Sequence, residues 1–328
     1  MKIDFVVLWV DNSDLNWMRK KDKFSGNYLN QELNAEERYR DYDDLKYWFR
    51  AVDQYADWVN HVFLVTDGQC PDWLDTEQSK VSVVDHKDFL KAENLPVFNS
   101  NAIELNIDNI SELSEHFVLF NDDMFINDVV SEKDFFSGGL PRDIGLLNPI
   151  IPEEGGIGNT INNNMELINR DYSMRECLKE NLGKFLNVKY GIDNIRTLAL
   201  MLWHKFPGFY NPHLPVSYTK SEFRDVRKVA ADQFEKTSAN KFRTSDDISH
   251  WLIRYTRLAQ GNFAPISPEI GHIYSLSDTD KVISDIVNST HKLLCINDDN
   301  KTENFSEVIS KINQTLDVKL RNKSTYEK

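Results

Sequence analysis

Cysteine is scarce in this chain, with three in 328 residues. Cys70, Cys177 and Cys295 are far apart and odd in number, so the sequence offers neither a disulfide scaffold nor a zinc motif, and it fits a reducing compartment. Long hydrophobic runs are missing as well. VVLWV near the start and TLALMLW at 197–203 are the longest candidates, far short of the roughly 20 apolar residues that span a bilayer. Met1 and Lys2 lead straight into a strand pattern, leaving no room for a signal peptide. The expectation is a cytoplasmic protein, with peripheral association to the inner face of the membrane through a partner or a lipid-linked substrate. Basic charge is also short: 38 Lys and Arg stand against 52 Asp and Glu, a net charge of -14. That balance argues against nucleic acid as a partner. It leaves open a phosphorylated small molecule, provided a metal ion sits between the ligand and the acids. No internal repeat and no low-complexity linker occurs.

What the chain does have is acid at the ends of apolar runs. IDFVVLWVD ends at Asp11, HVFLVTDG carries Asp67, VSVVDH carries Asp85, HFVLFNDD ends in Asp122 and Asp123, and LLCIND ends at Asp298. Alternating strand and helix signals over residues 1–140 predict an α/β fold with a parallel sheet. Strand ends then share one edge, where such sheets bind ligands. A helix is predicted from Leu45, Trp48, Phe49, Val52 and Ala56, and another in DDISHWLIRYTRLAQG, stopping at Gly261. Between them PRDIGLLNPIIPEEGGIGNTINNN reads as a long irregular segment. The expected parts are an α/β part at 1–140, a mainly helical insertion at 141–275, and a strand and helix at 276–328 returning to the α/β core. RNKSTYEK reads as a polar tail.

The blocks IDFVVLWVDNSD at 3–14, RYRDYDDLKYWFRAVDQYADWVNHVFLVTDGQ with FNSNAIE and FNDDMF at 38–125, FPGFYNPHLP with KFRTSDDI at 206–248, and LLCINDD at 293–299 together resemble the Stealth family. That family contains bacterial capsule hexose-1-phosphate transferases and the animal enzyme that begins the mannose 6-phosphate tag. Val216 and Ser217 stand where relatives often carry a further proline. The resemblance implies a Rossmann-like, glycosyltransferase A-like sheet, mostly parallel and flanked by helices, with residues 1–140 binding the nucleotide sugar. It implies transfer of a sugar 1-phosphate from a UDP-sugar to a glycan hydroxyl in capsule or exopolysaccharide synthesis, with release of UMP. The acceptor would be an oligosaccharide, polysaccharide or lipid-linked glycan, and the cofactor Mg²⁺, with Mn²⁺ as the alternative. Two other classes compete: a metal-dependent glycosyltransferase releasing UDP, and a non-catalytic glycan-binding protein of the capsule assembly.

Each candidate residue has a plainer reading beside the functional one. Asp123, with Asp122 beside it, suits a divalent cation, since adjacent carboxylates at a strand end otherwise need a use for their charge; the plainer reading is a turn cap. Glu104 follows the candidate N-caps Ser100 and Asn101, so on the residues alone it is a first-turn, dipole-favoured glutamate. The resemblance makes it functional, as a base or an acceptor-orienting group. His213 lies between prolines in PHLP, and the resemblance makes it catalytic. Arg243 is a solvated partner of Asp246 or Asp247 on the bland reading and a diphosphate clamp on the sharp one. Asp11 and Asn12 are nucleotide contacts or a turn; Arg38 and Arg40 contact donor phosphate or pair with Asp41 and Asp43. Asn297 and Asp298 join the site or merely turn the chain, with Asp298 a metal ligand in the first case. Asn99 and Asn121, inside the matched blocks, complete the substrate-binding set that the resemblance implies.

Overall fold

The computed structural model describes residues 1–26, 32–35, 39–151, 157–298, 302 and 304–328. Eleven strands are described: β1 Ile3–Leu8, β2 His61–Thr66, β3 Val81–Asp85, β4 His116–Phe120, β5 Met124–Ile126, β6 Phe136–Ser137, β7 Leu140–Asp143, β8 Val216–Thr219, β9 Ala264–Pro265, β10 Gly271–Ser275 and β11 Leu293–Asn297. A five-stranded sheet has the order β3-β2-β1-β4-β8. Its first four strands are parallel and β8 runs antiparallel to β4. Strands of such a sheet are buried on both faces, which is why they read as unbroken apolar runs. Side chains alternate across it: Ile3, Phe5 and Val7 enter one apolar layer and Val6 the other, and in β4 Val118 and Phe120 oppose Phe117 and Leu119. The expected α/β architecture, a mostly parallel sheet flanked by helices, is what forms.

The returning strand LLCIN does not extend this sheet. β11 lies in a second, three-stranded sheet, parallel to β10 and antiparallel to β5. Its helix, Phe305–Lys319, nevertheless lays Ile312 and Leu316 into the layer that holds Phe5 and Phe120. The stretch 141–275 carries the helices Gly158–Asp171, Met174–Phe185 and Trp251–Gln260, but it also supplies β8 to the first sheet and β10 to the second. Gly261 closes the last of those helices at φ 69, a left-handed conformation that glycine adopts freely. Part of the segment expected to be irregular is helical, because Asn164 exchanges hydrogen bonds with Ser249 (2.9 and 3.1 Å) and this tertiary anchor overrides the poor helix propensity of NTINNN. Nor is the end of the chain a loose tail. Tyr326 is buried and Arg50 grips Glu327 through two nitrogens at 2.8 and 2.9 Å. No helix among the described residues is long and apolar enough to cross a membrane.

Strand order places the site. The chain winds outward from β1 to β2 and β3, then returns to the other side of β1 for β4, so a crevice opens at the carboxyl ends of β1 and β4. The turn 121–123 connects β4 to β5 there, and the Ile296 N–H of β11 donates to the Asp123 carbonyl at 2.9 Å. Both sheets therefore grip the Asp-Asp turn.

Candidate active site

A cavity of about 670 Å³ opens over that turn, lined among others by Arg40, Asp41, Asp44, Glu104, Asn121, Asp122, Asp123, His213, Arg243, Asn297 and Asp298. Three of the four blocks, distant in sequence, thus converge on one space. Arg38 lies outside the described residues. Asp11, Asn12 and Asn99 do not line the cavity. Asp11 accepts from Ser13 N–H at 2.8 Å and Ser13 Oγ–H at 2.6 Å, so the turn reading describes its conformation. Asn99 is fully buried; it caps the helix Ser100–Glu104 and donates to Asp247 Oδ2 at 2.8 Å, fastening the KFRTSDDI block to the FNSNAIE block. Asp67 and Asp85 are neutralised by Lys20 and Lys87 at 2.6 and 2.8 Å.

The Asp-Asp pair sits in the turn after β4, not in the strand. Asp123 Oδ2 lies 3.2 Å from His213 Nε2 and accepts from the Cys295 thiol at 3.3 Å, while its Oδ1 is buried without a partner. Asp122 is solvent-exposed on the cavity floor but crowded by protein atoms around it; this desolvation first, then Asp123 and Asp41, push its carboxyl up to about 8, an effect that solvent in the cavity reduces. Burial, reinforced by Asp11 and Asp43, lifts Asp41 to about 6. Buried Asp44 is raised well above the carboxylate range, by burial and then by Asp41 and Asp122. Acids so crowded, with an orphaned carboxylate oxygen among them, fit a hard divalent cation with oxygen ligands such as Mg²⁺ or Mn²⁺. Asp298 faces the same space but is ion-paired to Arg40 at 2.8 Å, so Arg40 pairs with neither Asp41 nor Asp43.

Glu104 is the last residue of its five-residue helix, not a first-turn residue, and Asn99 is the cap. This removes the dipole explanation. The residue is 3% exposed, and burial, against the pull of Arg243 and His213, pushes its carboxyl up to about 7. His250, 3.6 Å from Glu104 Oε2, is depressed to about 3 by burial, then by His213 and Arg254, and is a neutral imidazole. His213 has φ 47, a sparsely populated conformation for a residue with a Cβ, and marks a constrained loop at a functional site. Burial opposes its protonation, but Asp123, Glu104 and Asp122 outweigh burial and hold its pKa above the ordinary histidine value.

Arg243 pairs with neither Asp246, which goes to Lys236 at 2.8 Å, nor Asp247, which is taken by Asn99, Asn240 and Thr244. Its Nη2 donates to Ser100 Oγ at 2.8 Å and its Nη1 is buried without a partner, a guanidinium with donor capacity in reserve. Behind it opens a recess of about 120 Å³ walled by Trp9, Trp17, Tyr39 and Phe98, where the buried Nδ1 of His86 is unpartnered. Burial depresses His86 to about 4, so it too is neutral.

Sequence reasoning missed His250, Cys295, Asp44 and the recess. A lone histidine before a helix and a cysteine inside an apolar strand carry no local signal. Asp41 and Asp44 stand in RYRDYDD, where Asp41 reads only as a partner for the arginines and Asp44 carries no signal of its own.

Conserved region 1 of the Stealth proteins matches residues 1–29, and conserved region 2 matches residues 38–142. The chain is 44% identical over its full length to the capsular polysaccharide phosphotransferase WcwK of Streptococcus pneumoniae, covering 98% of that protein. The chain belongs to the Stealth family. It is 46% identical to the exopolysaccharide phosphotransferase cps2G of Lactiplantibacillus plantarum, with 99% of this chain and 96% of that one covered. It is 40% identical to the receptor polysaccharide phosphotransferase WefC of Streptococcus oralis, with 99% of each covered. With such relatives this Stealth protein is a phosphotransferase, which sets aside the non-catalytic reading.

A pH dependence follows from the crowded acids. Asp41, Glu104 and Asp122 titrate in the fold at about 6, 7 and 8, above the unfolded values of 3.8 for Asp and 4.5 for Glu. Raised groups contribute stability that is complete below the unfolded pKa and lost as pH rises through the folded one. The thermal midpoint of the metal-free protein is therefore expected to fall between about pH 5 and pH 8. Mg²⁺ should raise it more at pH 8 than at pH 5; a midpoint that is flat in pH and indifferent to Mg²⁺ would contradict the electrostatic account.

Proposed function

We propose that this chain transfers a sugar 1-phosphate from a UDP-sugar to a hydroxyl of a growing glycan, releasing UMP, in capsule or exopolysaccharide synthesis. The observation that carries the reading is the convergence of Asp123, His213, Glu104 and Arg243 on one cavity beside an aromatic recess. The recess suits the base: flat aromatic walls for stacking and a neutral His86 with Nδ1 open to a hydrogen bond. Arg243, between recess and cavity, clamps the diphosphate with its spare Nη1. The oxygens of Asp123 and Asp122, with Asn121 and Asn297 lining the same cavity, would hold Mg²⁺ or Mn²⁺, which when bound would offset charge on the phosphates. His213, oriented by Asp123, or Glu104 takes the proton of the acceptor hydroxyl. The acceptor oxygen bonds to the sugar-bearing phosphorus, the bond from that phosphorus to the bridging oxygen breaks, and UMP departs. We place the enzyme in the cytoplasm, at the inner face of the membrane if the acceptor is lipid-linked.

The test is the identity of the nucleotide released from UDP-N-acetylglucosamine and other UDP-sugars with a mixed glycan acceptor and Mg²⁺. Chelator-sensitive UMP is expected. UDP in its place would mean attack at the anomeric carbon and a glycosyltransferase.

A further inference from the structure

Three parts of the chain bring dissimilar donor atoms to one point. Asp123 comes from the turn after β4, His213 from the PHLP loop and Cys295 from β11. Asp123 Oδ2 is 3.2 Å from His213 Nε2 and 3.3 Å from Cys295 Sγ, and the three donor atoms all lie within 4.8 Å of one another. A tetrahedral ion with bonds of about 2.0 Å to nitrogen and oxygen holds those ligands about 3.3 Å apart, and with a bond of about 2.3 Å to sulfur it holds sulfur and oxygen about 3.5 Å apart. Two edges of the triangle are thus already close to those of a three-ligand site with one open position.

We propose that Asp123, His213 and Cys295 form a binding site for a thiophilic transition metal, Zn²⁺ foremost, and that its occupation shuts off phosphotransfer. The inhibitory half rests on the proposed role of His213. A neutral imidazole has one lone pair; coordination through Nε2, the nitrogen that otherwise donates to Asp123, uses it and leaves the proton on Nδ1, so the ring can no longer take the acceptor proton. The thiol proton leaves to solvent as the Sγ–metal bond forms, and no oxidation state changes. Cys295 is the selector. Mg²⁺ is a hard ion that takes oxygen ligands and does not profit from sulfur, whereas Zn²⁺ accepts the mixed nitrogen, oxygen and sulfur set. Asp123 presents a different oxygen to each ion, the unpartnered Oδ1 to the hard one and Oδ2 to the soft one. Cys295 is fully buried, but the side chains of His213 and Asp123 are 30% and 16% exposed toward the cavity, so an ion has a way in. Cysteine spacing conceals the site, because its ligands lie in three distant segments and only one is a cysteine.

Co²⁺ serves as the spectroscopic probe. Titrating the metal-free full-length protein with Co²⁺ is expected to give a thiolate-to-cobalt charge-transfer band that saturates at one equivalent, is bleached by Zn²⁺ and survives a hundredfold excess of Mg²⁺. Cys295→Ser and, separately, His213→Gln should abolish the band with the thermal transition retained. Absence of the band in the wild type would overturn the site with no reference to any variant, and its persistence in Cys295→Ser would assign it to Cys70 or Cys177 and overturn it equally. In the UMP assay, Zn²⁺ should inhibit the wild type at least tenfold more strongly than Cys295→Ser. Equal sensitivity would overturn the inhibitory half. A cobalt band in a protein that releases no UMP would instead count against the proposed function and leave the metal site standing.

Discussion

Asp123→Ala is expected to lower kcat for UMP release by about 10³-fold or more, while the metal-free protein at pH 8 becomes no less stable than the wild type. The kinetic loss has two sources in one side chain. In the proposed mechanism Oδ1, buried without a partner, is the oxygen that would hold the divalent cation, and Oδ2 lies 3.2 Å from His213 Nε2. Losing the cation's stabilisation of charge on the phosphates is worth several kcal/mol, and about 4 kcal/mol corresponds to about 10³-fold. The stability result points the other way because Asp123 is among the charges that lift Asp122 and Glu104; removing it relieves repulsion. Asp123→Asn separates charge from hydrogen bonding, since the amide keeps an oxygen toward His213 and loses the negative charge. It should be nearly as inactive as alanine. Turnover of Asp123→Ala within tenfold of the wild type would remove Asp123 from the mechanism.

How much of this was readable beforehand depends on the distance over which each feature is specified. Strands β1, β2 and β4 announce themselves through apolar runs such as FVVL and VFLV, because burial on both faces favours apolar side chains; the one buried acid in β1, Asp4, is satisfied by Asn60 and Ser114 N–H. The acids at their ends, Asp122 and Asp123, are equally local, and topology carries them to the ligand-binding edge. What failed to read was nonlocal. Glu104 looked like a first-turn glutamate because Ser100 and Asn101 are plausible caps; only the buried contact of Asn99 with Asp247 shifts the cap back and turns the glutamate inward. The partners of Arg243 and Arg40 were misjudged for a related reason. Neighbouring acids in sequence are the natural choice, yet Asp246 is taken by Lys236 and Arg40 reaches Asp298, 258 residues away. The tail RNKSTYEK hid its anchor in a single aromatic residue, Tyr326, which packs against Phe49 at 5.2 Å between ring centroids.

The second large effect lies outside the cavity. Asp143, at the end of β7, is buried between Arg254 and Arg257, whose side chains are 2% and 0% exposed, at 2.7 and 2.6 Å. Burial raises the Asp143 pKa, but the two guanidinium groups more than reverse this and hold it below the ordinary carboxylate value. Its contribution to stability is therefore present above the unfolded value of 3.8 and lost only as pH falls through the lower folded pKa. Asp143→Ala leaves Arg254 buried without a carboxylate and Arg257 with Glu222 alone at 3.3 Å, at a cost of about 3–5 kcal/mol. A drop of about 1 M or more in the urea midpoint is expected. The same arginine ties this core to the chemistry, because Arg254 donates to Asn211 Oδ1 and to the Tyr210 carbonyl, both at 2.9 Å, immediately before His213. Replacing Asp143, Arg254 and Arg257 together with leucine or methionine should recover much of the stability, since a buried ionic cluster is readily exchanged for apolar packing of similar volume. Turnover should not recover, because the loop that presents His213 has lost its anchor. A triple variant as active as the wild type would make the cluster a stability element only, with no part in positioning His213.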